Sequence, residues 1–232
     1  MHNKNQKKKM ETKTISFATR KGGSGKTTLT ILTATALYHR SDYKILVIDN
    51  DHQLSLYGKY KREKGDNQNY DAIGFDWSHP RARERFVKLI IENEEKYDVV
   101  FIDTSGKLEG NDIYESMIAS DIIIVPVVAA ELDMFSSADF LQSIPAVIKK
   151  RKMLGFSTKV FGVPNLVDNT KEQGGIHEIE EIKESGIKLF ENGVSRRVRY
   201  KRLSTIKQIV KPEKEDDEFN LYFNEFLTLC KL

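Results

Sequence analysis

Eight consecutive residues constrain the fold of this chain more than any other segment: Lys21-Gly22-Gly23-Ser24-Gly25-Lys26-Thr27-Thr28. A mostly apolar run at 13–19 precedes them and is typical of a buried strand, while Leu29 and Leu32 begin a helical pattern after them. A glycine loop between a strand and a helix exposes backbone N–H groups and the positive end of the helix, which together suit an anion. In such a loop, Lys26 would reach the β- and γ-phosphates of a nucleotide, and the Thr27 hydroxyl would bind Mg²⁺.

The loop departs from the strict phosphate-loop pattern at one position. Arg20 stands where that pattern has its first glycine, and Lys21 adds a second lysine at the mouth of the loop. The resulting sequence, Lys-Gly-Gly-x-Gly-Lys-Thr-Thr, resembles the deviant Walker A motif of ParA/MinD-type P-loop ATPases, in particular the ParA-like partition ATPases. The resemblance covers 13–168 well and the last quarter of the chain loosely. It implies ATP and Mg²⁺ as ligands and slow, Mg²⁺-dependent ATP hydrolysis.

Length and composition bound the domain organisation. The chain has 232 residues, no internal repeat and no Pro/Gly/Ser-rich linker, so we expect one domain over 13–232. Ahead of it, 1–12 is predicted to be a flexible basic tail, which either contacts nucleic acid or is a solvated extension. The single cysteine, Cys230, excludes a disulfide framework, a CxxC redox pair and a cysteine-held iron–sulfur cluster within one chain.

Hydropathy and charge bound the location and the partners. No stretch approaches the roughly 20 apolar residues that a membrane span needs, and no signal-peptide apolar core follows the basic N-terminus. We therefore expect a cytoplasmic protein without a membrane span. The net charge is only +3, so any nucleic-acid binding must come from local patches.

Apolar runs of strand length alternate with helical patterns along the chain. This alternation predicts a single-domain α/β fold with a mostly parallel, twisted sheet flanked by helices, as in P-loop NTPases. Strands are expected at 13–19, 44–49, 98–103, 121–127, 158–164 and 187–191. Helices are expected at 26–40, about 80–95, 135–151, about 171–184 and 215–230. The polar segment 55–72 is expected to be a mobile surface excursion.

Aspartates end two of the predicted strands. The strand at 44–49 runs into Asp49-Asn50-Asp51-His52-Gln53, and the strand at 98–103 runs into Asp103-Thr104-Ser105-Gly106. In open parallel sheets, ligands bind beyond the carboxyl ends of the strands, where the glycine loop also opens. An apolar run that ends in aspartate is the expected form of a Walker B element, so we assign Asp103 to Mg²⁺. The alternative is that these aspartates only cap turns.

The resemblance assigns roles to the other two aspartates. The ParA-like pattern at this strand end is Asp-x-Asp-Pro-Gln, and it implies that Asp51 orients the attacking water and accepts its proton. Asp49 would then lie near Thr27 and the water shell of the metal. The chain departs from the pattern in having His52 in place of proline. After Asp103, the usual Asp-Thr-Pro-Pro is also replaced, and Gly106 gives this predicted nucleotide-sensing segment freedom to move.

Two further residues take their roles from the resemblance. Lys26 already serves the phosphates, and in the resembled family a lysine at the position of Lys21 crosses a two-fold interface to the nucleotide of a partner subunit. This implies a homodimer that forms with ATP and separates with ADP. An asparagine near Asn165 contacts the adenine ring in similar ATPases. A turn-forming role for Asn165 is the alternative.

A basic segment near the C-terminus suggests what the ATPase acts upon. Five cations fall within seven residues: Arg196, Arg197, Arg199, Lys201 and Arg202. Such a cluster gives non-specific, salt-sensitive affinity for DNA. The resemblance then implies a nucleoid-associated ATPase that partitions or positions a plasmid, chromosome or conjugative element and is stimulated by a partner protein encoded nearby. The alternative for the segment itself is a solvated basic face.

Other members of the superfamily provide the alternative functions. A MinD-like, membrane-cycling ATPase needs an amphipathic C-terminal helix with a basic polar face. Here the polar face of 215–230 is acidic, so we expect its apolar stripe to dock as the last core helix: Phe219, Tyr222, Phe223, Phe226 and Cys230. Positioning of a protein complex and a biosynthetic or metal-handling activity stay open, although the missing CxxC argues against an iron–sulfur scaffold.

Overall fold

The computed structural model describes residues 11–64, 70–106, 112–128, 135–167, 182, 185 and 187–232, without the side chains of 135–139 and 201. Eight strands are present in these ranges: β1 (Lys13–Phe17), β2 (Ile45–Asn50), β3 (Asp71–Gly74), β4 (Val99–Thr104), β5 (Ile122–Val127), β6 (Lys159–Val167), β7 (Lys188–Leu189) and β8 (Val194–Ser195). Seven follow the order β3-β2-β4-β1-β5-β6-β7, and β8 pairs with β6. All of these pairings are parallel, which confirms the predicted α/β sheet.

The strand register brings the ends of β1, β2 and β4 to one edge of the sheet. Asp103 lies opposite Asp49 on one side and opposite Phe17, the last residue of β1, on the other. The loop that follows β1 therefore emerges beside both aspartates. The central strands are buried on both faces, as their continuous apolar runs predict.

Within the described ranges, six α-helices cover the two faces of the sheet: α1 (Lys26–Arg40), α2 (Ser55–Lys64), α3 (Ala82–Asn93), α4 (Asp112–Ile118), α5 (Phe135–Met153) and α6 (Glu218–Cys230). Alternate residues of a strand point to opposite faces. Val47 and Phe101 accordingly pack in one layer with α1, α2 and α6. Leu46 and Val100 pack against α3 on the opposite face, where α4 and α5 cover the neighbouring strands.

The C-terminal helix α6 docks on the body of the protein, as its apolar stripe predicts. All five stripe residues are buried: Phe219, Tyr222, Phe223, Phe226 and Cys230. The Tyr222 hydroxyl lies 3.0 Å from the Thr33 hydroxyl of α1, and the Arg40 guanidinium stacks over the Phe223 ring. Among the described residues, no helix combines the length and apolarity needed to cross a bilayer.

The expected surface excursion at 55–72 is wrong where the structure describes it. Residues Ser55–Lys64 form helix α2, and Asp71 and Ala72 begin the edge strand β3. The helix buries only Leu56 and Tyr60, which is too weak a pattern to stand out in a charged sequence. Its first turn is also stabilised from a distance, because the Asp49 carboxylate accepts the Tyr57 backbone N–H at 2.9 Å. The predicted helix at 171–184 lies almost entirely outside the described residues.

Candidate functional site

The glycine loop joins β1 to α1, and its backbone takes a form that only glycine adopts easily. Gly23 and Gly25 have φ of 77° and 88°, in the left-handed region that disfavours a side chain. A Cβ atom on Gly25 would also lie 2.2 Å from the Asn165 amide nitrogen. Gly25 is the N-cap of α1, and the first turn of that helix carries no acidic residue. The positive end of the helix dipole therefore faces the loop, and no acidic side chain in the first turn of α1 neutralises it.

Lys26 is buried and folds back across the loop. Its ammonium group donates a hydrogen bond to the Lys21 backbone carbonyl at 2.9 Å, and the Ser24 hydroxyl donates to the same carbonyl at 3.1 Å. A buried ammonium group needs such acceptors, because desolvation disfavours its charge. The chain thus holds a cation directly at the glycine loop, where it could form charge-assisted hydrogen bonds with a phosphate.

Asn165 contacts the loop from β6, which β5 separates from β1 in the sheet. Its amide nitrogen donates to the Ser24 carbonyl at 2.6 Å, and its carbonyl oxygen is buried without a partner among the described residues. The next residue, Leu166, has φ of 55°, and the β6–β8 pairing shifts register there. Such a bulge re-aims a side chain. The adenine contact stays a prediction, whereas the observed contacts support the shape of the loop.

An open cleft of about 470 Å³ joins the loop to the ends of β2 and β4. Its lining combines loop glycines, the start of α1 and the segments that follow the two strands: Gly22, Gly23, Gly25, Lys26, Thr27, Thr28, Asp51, Gln53 and Gly106. A Cβ atom on Gly106 would lie 2.8 Å from the Gly22 Cα atom and 3.1 Å from the Lys26 ammonium group. Glycine at 106 therefore allows the segment after β4 to lie directly against the loop.

Two buried carboxylates lie side by side at this edge, those of Asp49 and Asp103. Burial and the neighbouring Asp49 raise the pKa of Asp103 to about 7, although Thr27 and Lys26 act in the opposite direction. Burial likewise raises the pKa of Asp49. A nearby cation would reverse the effect on both groups.

The residues at this edge fit Mg²⁺. The Asp103 Oδ2 atom is buried without a hydrogen-bond partner among the described residues, so it can accept from a metal-bound water. Within the part of the chain that the structure describes, no three acidic, His or Cys side chains converge on one point. Mg²⁺ needs no such cage, because it is usually held by one or two carboxylates together with waters and phosphates. Asp103 and Thr27 would hold the metal here, with the nucleotide supplying further oxygens.

Asp51 lies at the cleft, whereas Asp49 is occupied by the backbone. The Asp51 carboxylate accepts the Gln53 backbone N–H at 2.9 Å and is partly exposed. The two Asp49 oxygens accept the N–H groups of Asp51 and Tyr57. Asp49 therefore shapes the turn that carries Asp51, and its predicted contact with the water shell of the metal stays a prediction.

Lys21 lines a second and smaller cavity, of about 30 Å³, together with Val127 and Phe140. Its backbone carbonyl is the acceptor for Lys26 and Ser24. The backbone at position 21 thus organises the loop, while the side chain is only partly buried.

The basic segment near the C-terminus includes a short 3₁₀ helix at Val198–Arg202 and packs against the start of α6. Arg199 forms a two-armed ion pair with Asp217, at 2.6 and 2.9 Å. Arg197 lies 3.3 Å from the Glu218 carboxylate. Arg196 and Arg202 are exposed, and the Lys201 side chain lies outside the described atoms. Two of the predicted DNA contacts are therefore engaged by acids of the same chain, and DNA binding itself stays a prediction.

Sequence reasoning missed one polar network beside the cleft. Asp112 opens α4 and accepts the Ser105 hydroxyl, while Asn50 donates to the Ser116 hydroxyl at 2.6 Å. The Trp77 indole N–H donates to the Asn50 side-chain oxygen. These groups are separated in the sequence and carry no shared motif. The only local signal was His52, which replaces a proline and lies 3.9 Å from Asp112.

Comparison with protein families gives one match over most of the chain. A family described as the CobQ/CobB/MinD/ParA nucleotide binding domain, CbiA, matches residues 15–208. No curated protein sequence matches the chain.

Several solved structures share the fold at low sequence identity. McdA from Cyanothece in complex with ATP is 17% identical, with a TM-score of 0.66 over 95% of this chain and 97% of that chain. A plasmid partition protein from Borrelia burgdorferi bound to AMPPNP is 20% identical, with a TM-score of 0.65 over 94% and 99% of the two chains. Cobyrinic acid a,c-diamide synthase from Mycobacterium smegmatis, with an ATP analogue and magnesium, is 15% identical, with a TM-score of 0.67 over 93% and 92%.

Proposed function

The chain belongs to the CobQ/CobB/MinD/ParA nucleotide-binding domain family, and from this premise we propose that it is a dimerising ATPase that binds DNA non-specifically and positions or partitions a DNA element. The observation that carries the proposal is the single cleft in which the glycine loop, Lys26, Asp51 and Gly106 meet. A phosphoryl-transfer site needs these groups together, because the chemistry depends on positioning and charge neutralisation.

Each group at the cleft has a task in hydrolysis. The loop N–H groups and Lys26 hold the β- and γ-phosphates of ATP and stabilise their charge. Asp51 is partly exposed beside them, so it can orient a water molecule in line with the γ-phosphate and accept its proton. Thr27 and Asp103 hold Mg²⁺, which when bound neutralises charge on the phosphates. Gly106 lies against Gly22 and Lys26, where a terminal phosphate would displace it.

Lys21 couples the nucleotide to dimerisation in this proposal. Lys26 already covers the phosphates of its own loop, and the Lys21 side chain lines a separate cavity. Two ATP-loaded sites that face each other accumulate negative charge, which a lysine from each subunit relieves. A pair of unit charges at ~4 Å gains roughly 4 kcal/mol before desolvation at an effective dielectric near 20. That is enough to make association depend on the γ-phosphate.

DNA binding would follow from the basic segment in the ATP-bound dimer. Arg196 and Arg202 are exposed and supply phosphate contacts that do not depend on sequence. Two copies of the segment in one dimer raise the affinity by multivalency. A partner protein that stimulates hydrolysis would then release the DNA, since the dimer separates with ADP.

The experiment is a gel shift with one random-sequence duplex, using the full chain with Mg-ATP, Mg-ADP or no nucleotide. We expect retention with ATP only, and a loss of affinity that is linear in the logarithm of salt concentration. Equal retention in all three conditions would contradict the nucleotide switch. ATP binding without any DNA retention would overturn the DNA-positioning function and favour a protein cargo or a biosynthetic activity.

A further inference from the structure

Asp112 lies between the two segments that border the cleft, and we propose that it is a positioning residue that holds them in register. This inference rests on the proposed ATPase function and adds a residue to it. One of the two segments carries Asp51 after β2, and the other carries Gly106 after β4. Asp112 and Asn50 make hydrogen bonds to residues of these segments or next to them.

The carboxylate of Asp112 reaches toward both segments. Its Oδ2 atom accepts the hydroxyl of Ser105, the residue before Gly106, at 2.5 Å. The same oxygen lies 3.9 Å from the Nε2 atom of His52, the residue after Asp51. That distance is too long for a hydrogen bond, yet a small movement of the loop would close it. Asp112 thus contacts one segment and faces the other.

The backbone of α4 adds a second link to the Asp51 segment. The Asp112 carbonyl accepts the Ser116 hydroxyl at 2.7 Å and faces the Asn50 amide nitrogen at 3.4 Å. Asn50 immediately precedes Asp51 and is completely buried. Its side-chain oxygen accepts the indole N–H of Trp77. Any shift of α4 relative to β2 must therefore disturb Asn50 and the environment of Trp77.

Burial of the Asp112 carboxylate lowers the stability of the folded protein unless hydrogen bonds offset the loss of solvation. Asp112 is 2% exposed, and its Oδ1 atom has no partner among the described residues. A buried carboxylate oxygen without a hydrogen bond is destabilising. Asp112 can transmit displacement between the segments, because its carboxylate is hydrogen-bonded to Ser105 and its backbone carbonyl faces Asn50.

The consequence concerns the catalytic step and not nucleotide affinity. A γ-phosphate that displaces Gly106 would pull Ser105, and through Asp112 this would move or lock the loop that carries Asp51. Asp112 itself is absent from the lining of the cleft, so its loss should leave the phosphate contacts of Lys26 in place. The orientation of Asp51 toward the attacking water should suffer instead.

The test compares Asp112→Asn, Ser105→Ala and the double variant with a matched control, Asp121→Asn. Asp121 is also hydrogen-bonded, to Arg151 at 2.8 Å and to the Thr14 N–H at 3.0 Å, but it precedes β5 and is remote from the cleft. Three quantities are measured on the full chain with Mg-ATP: the Kd by calorimetry, the hydrolysis rate, and the emission of Trp77, which is the sole tryptophan.

We expect Asp112→Asn to lower the hydrolysis rate about 10- to 100-fold, as misplacement of a catalytic group does, with the Kd for ATP within about threefold of wild type. The ATP-dependent change in Trp77 emission should disappear in Asp112→Asn and persist in Asp121→Asn. The double variant should be no slower than Asp112→Asn, because both substitutions break one link.

A hydrolysis rate for Asp112→Asn within about threefold of that of Asp121→Asn, or an intact Trp77 response, would overturn the inference. If Asp112→Asn does not fold, Ser105→Ala carries the same test, since it removes only one hydroxyl. Failure of the proposed function is distinguishable, because wild type itself would then show no ATP binding by calorimetry. In that case the inference falls with it.

Discussion

The carboxyl edge of the sheet and the basic segment at 196–202 are both rich in charge, but they differ in where their partners come from. At the sheet edge, Lys26 bonds to its own loop and shares an open cleft with Asp51. In the basic segment, Arg197 and Arg199 meet acids that lie 18 to 21 residues further along the chain. The first region presents its charges to a ligand, and the second uses part of its charge within the fold.

The difference shows what a charge pattern can predict. A glycine-loop motif specifies backbone geometry, so the position of Lys26 follows from the motif itself. A run of arginines specifies only charge, and its function depends on which counter-ions the fold brings to it. The Arg199–Asp217 pair also caps the start of α6, because Asp217 accepts the Phe219 N–H at 3.0 Å.

The largest effect is expected from Lys26→Ala, which removes the cation of the cleft. Affinity for Mg-ATP should fall at least about 100-fold, since hydrogen bonds between charged groups are the strong ones and each 1.4 kcal/mol is tenfold. Isothermal titration calorimetry measures the change, with Lys159→Ala at the opposite edge of the sheet as the control. Equal loss in both variants would mean that Lys26 has no special role.

Asp51→Ala separates hydrolysis from binding at the same edge. Removal of a general base should slow hydrolysis about 100-fold or more, while the Kd for ATP stays within about threefold. Phosphate release under saturating Mg-ATP gives the rate. The exposed acid Asp76 supplies the control, Asp76→Ala, which should retain the wild-type rate. Undiminished hydrolysis in Asp51→Ala would remove Asp51 from its assigned role.

Asp103→Asn tests the electrostatics of the buried carboxylates. With a pKa near 7 in the folded protein and near 3.9 when unfolded, Asp103 binds a proton in the folded state alone between about pH 4 and pH 7. Stability without nucleotide should therefore fall as pH rises through this window. Wild type should therefore lose about 2 kcal/mol of unfolding free energy relative to Asp103→Asn between pH 5 and pH 7.

Urea unfolding at several pH values measures this loss. The variant should also lose the stabilisation that Mg-ATP gives to wild type. Asp216→Asn replaces an exposed carboxylate and is the control. A constant difference between Asp103→Asn and wild type across the window would contradict the burial argument.

Substitutions of single arginines in the basic segment have the smallest expected effects. They distinguish an exposed arginine from one that forms an ion pair within the fold. Arg202→Ala should weaken DNA retention without lowering the melting temperature, since this exposed cation contributes a phosphate contact. Arg199→Ala should instead cost about 1 kcal/mol of stability, because it breaks a half-exposed pair at the start of α6. Gel shifts and thermal melts made on both proteins decide between these roles. If both variants showed the same DNA retention and the same melting temperature, the two arginines would not have separate roles.

The predictability of the fold and of the site follows the same division. The central strands, α1 and the docking of α6 were predicted because their apolar patterns are long and local. Helix α2 and strand β3 were missed because one depends on capping by Asp49 and the other is a half-exposed edge strand. The placement of Asp103 at the end of β4 and of Asp51 just after β2 was predicted from the strand pattern, while their roles in hydrolysis and metal binding stay predictions. The Asp112 network was not predicted, since Ser105, Asn50 and Trp77 meet only through tertiary contacts.

In the proposed dimer, the γ-phosphate in this cleft is sensed by Lys21 of a second copy of the chain. Sedimentation velocity of wild type and Lys21→Ala, each with Mg²⁺ and either a non-hydrolysable ATP analogue or ADP, tests it directly. We expect a doubled mass for wild type with the analogue, and a single-chain mass in the other three samples. The same mass for wild type with both nucleotides would contradict it.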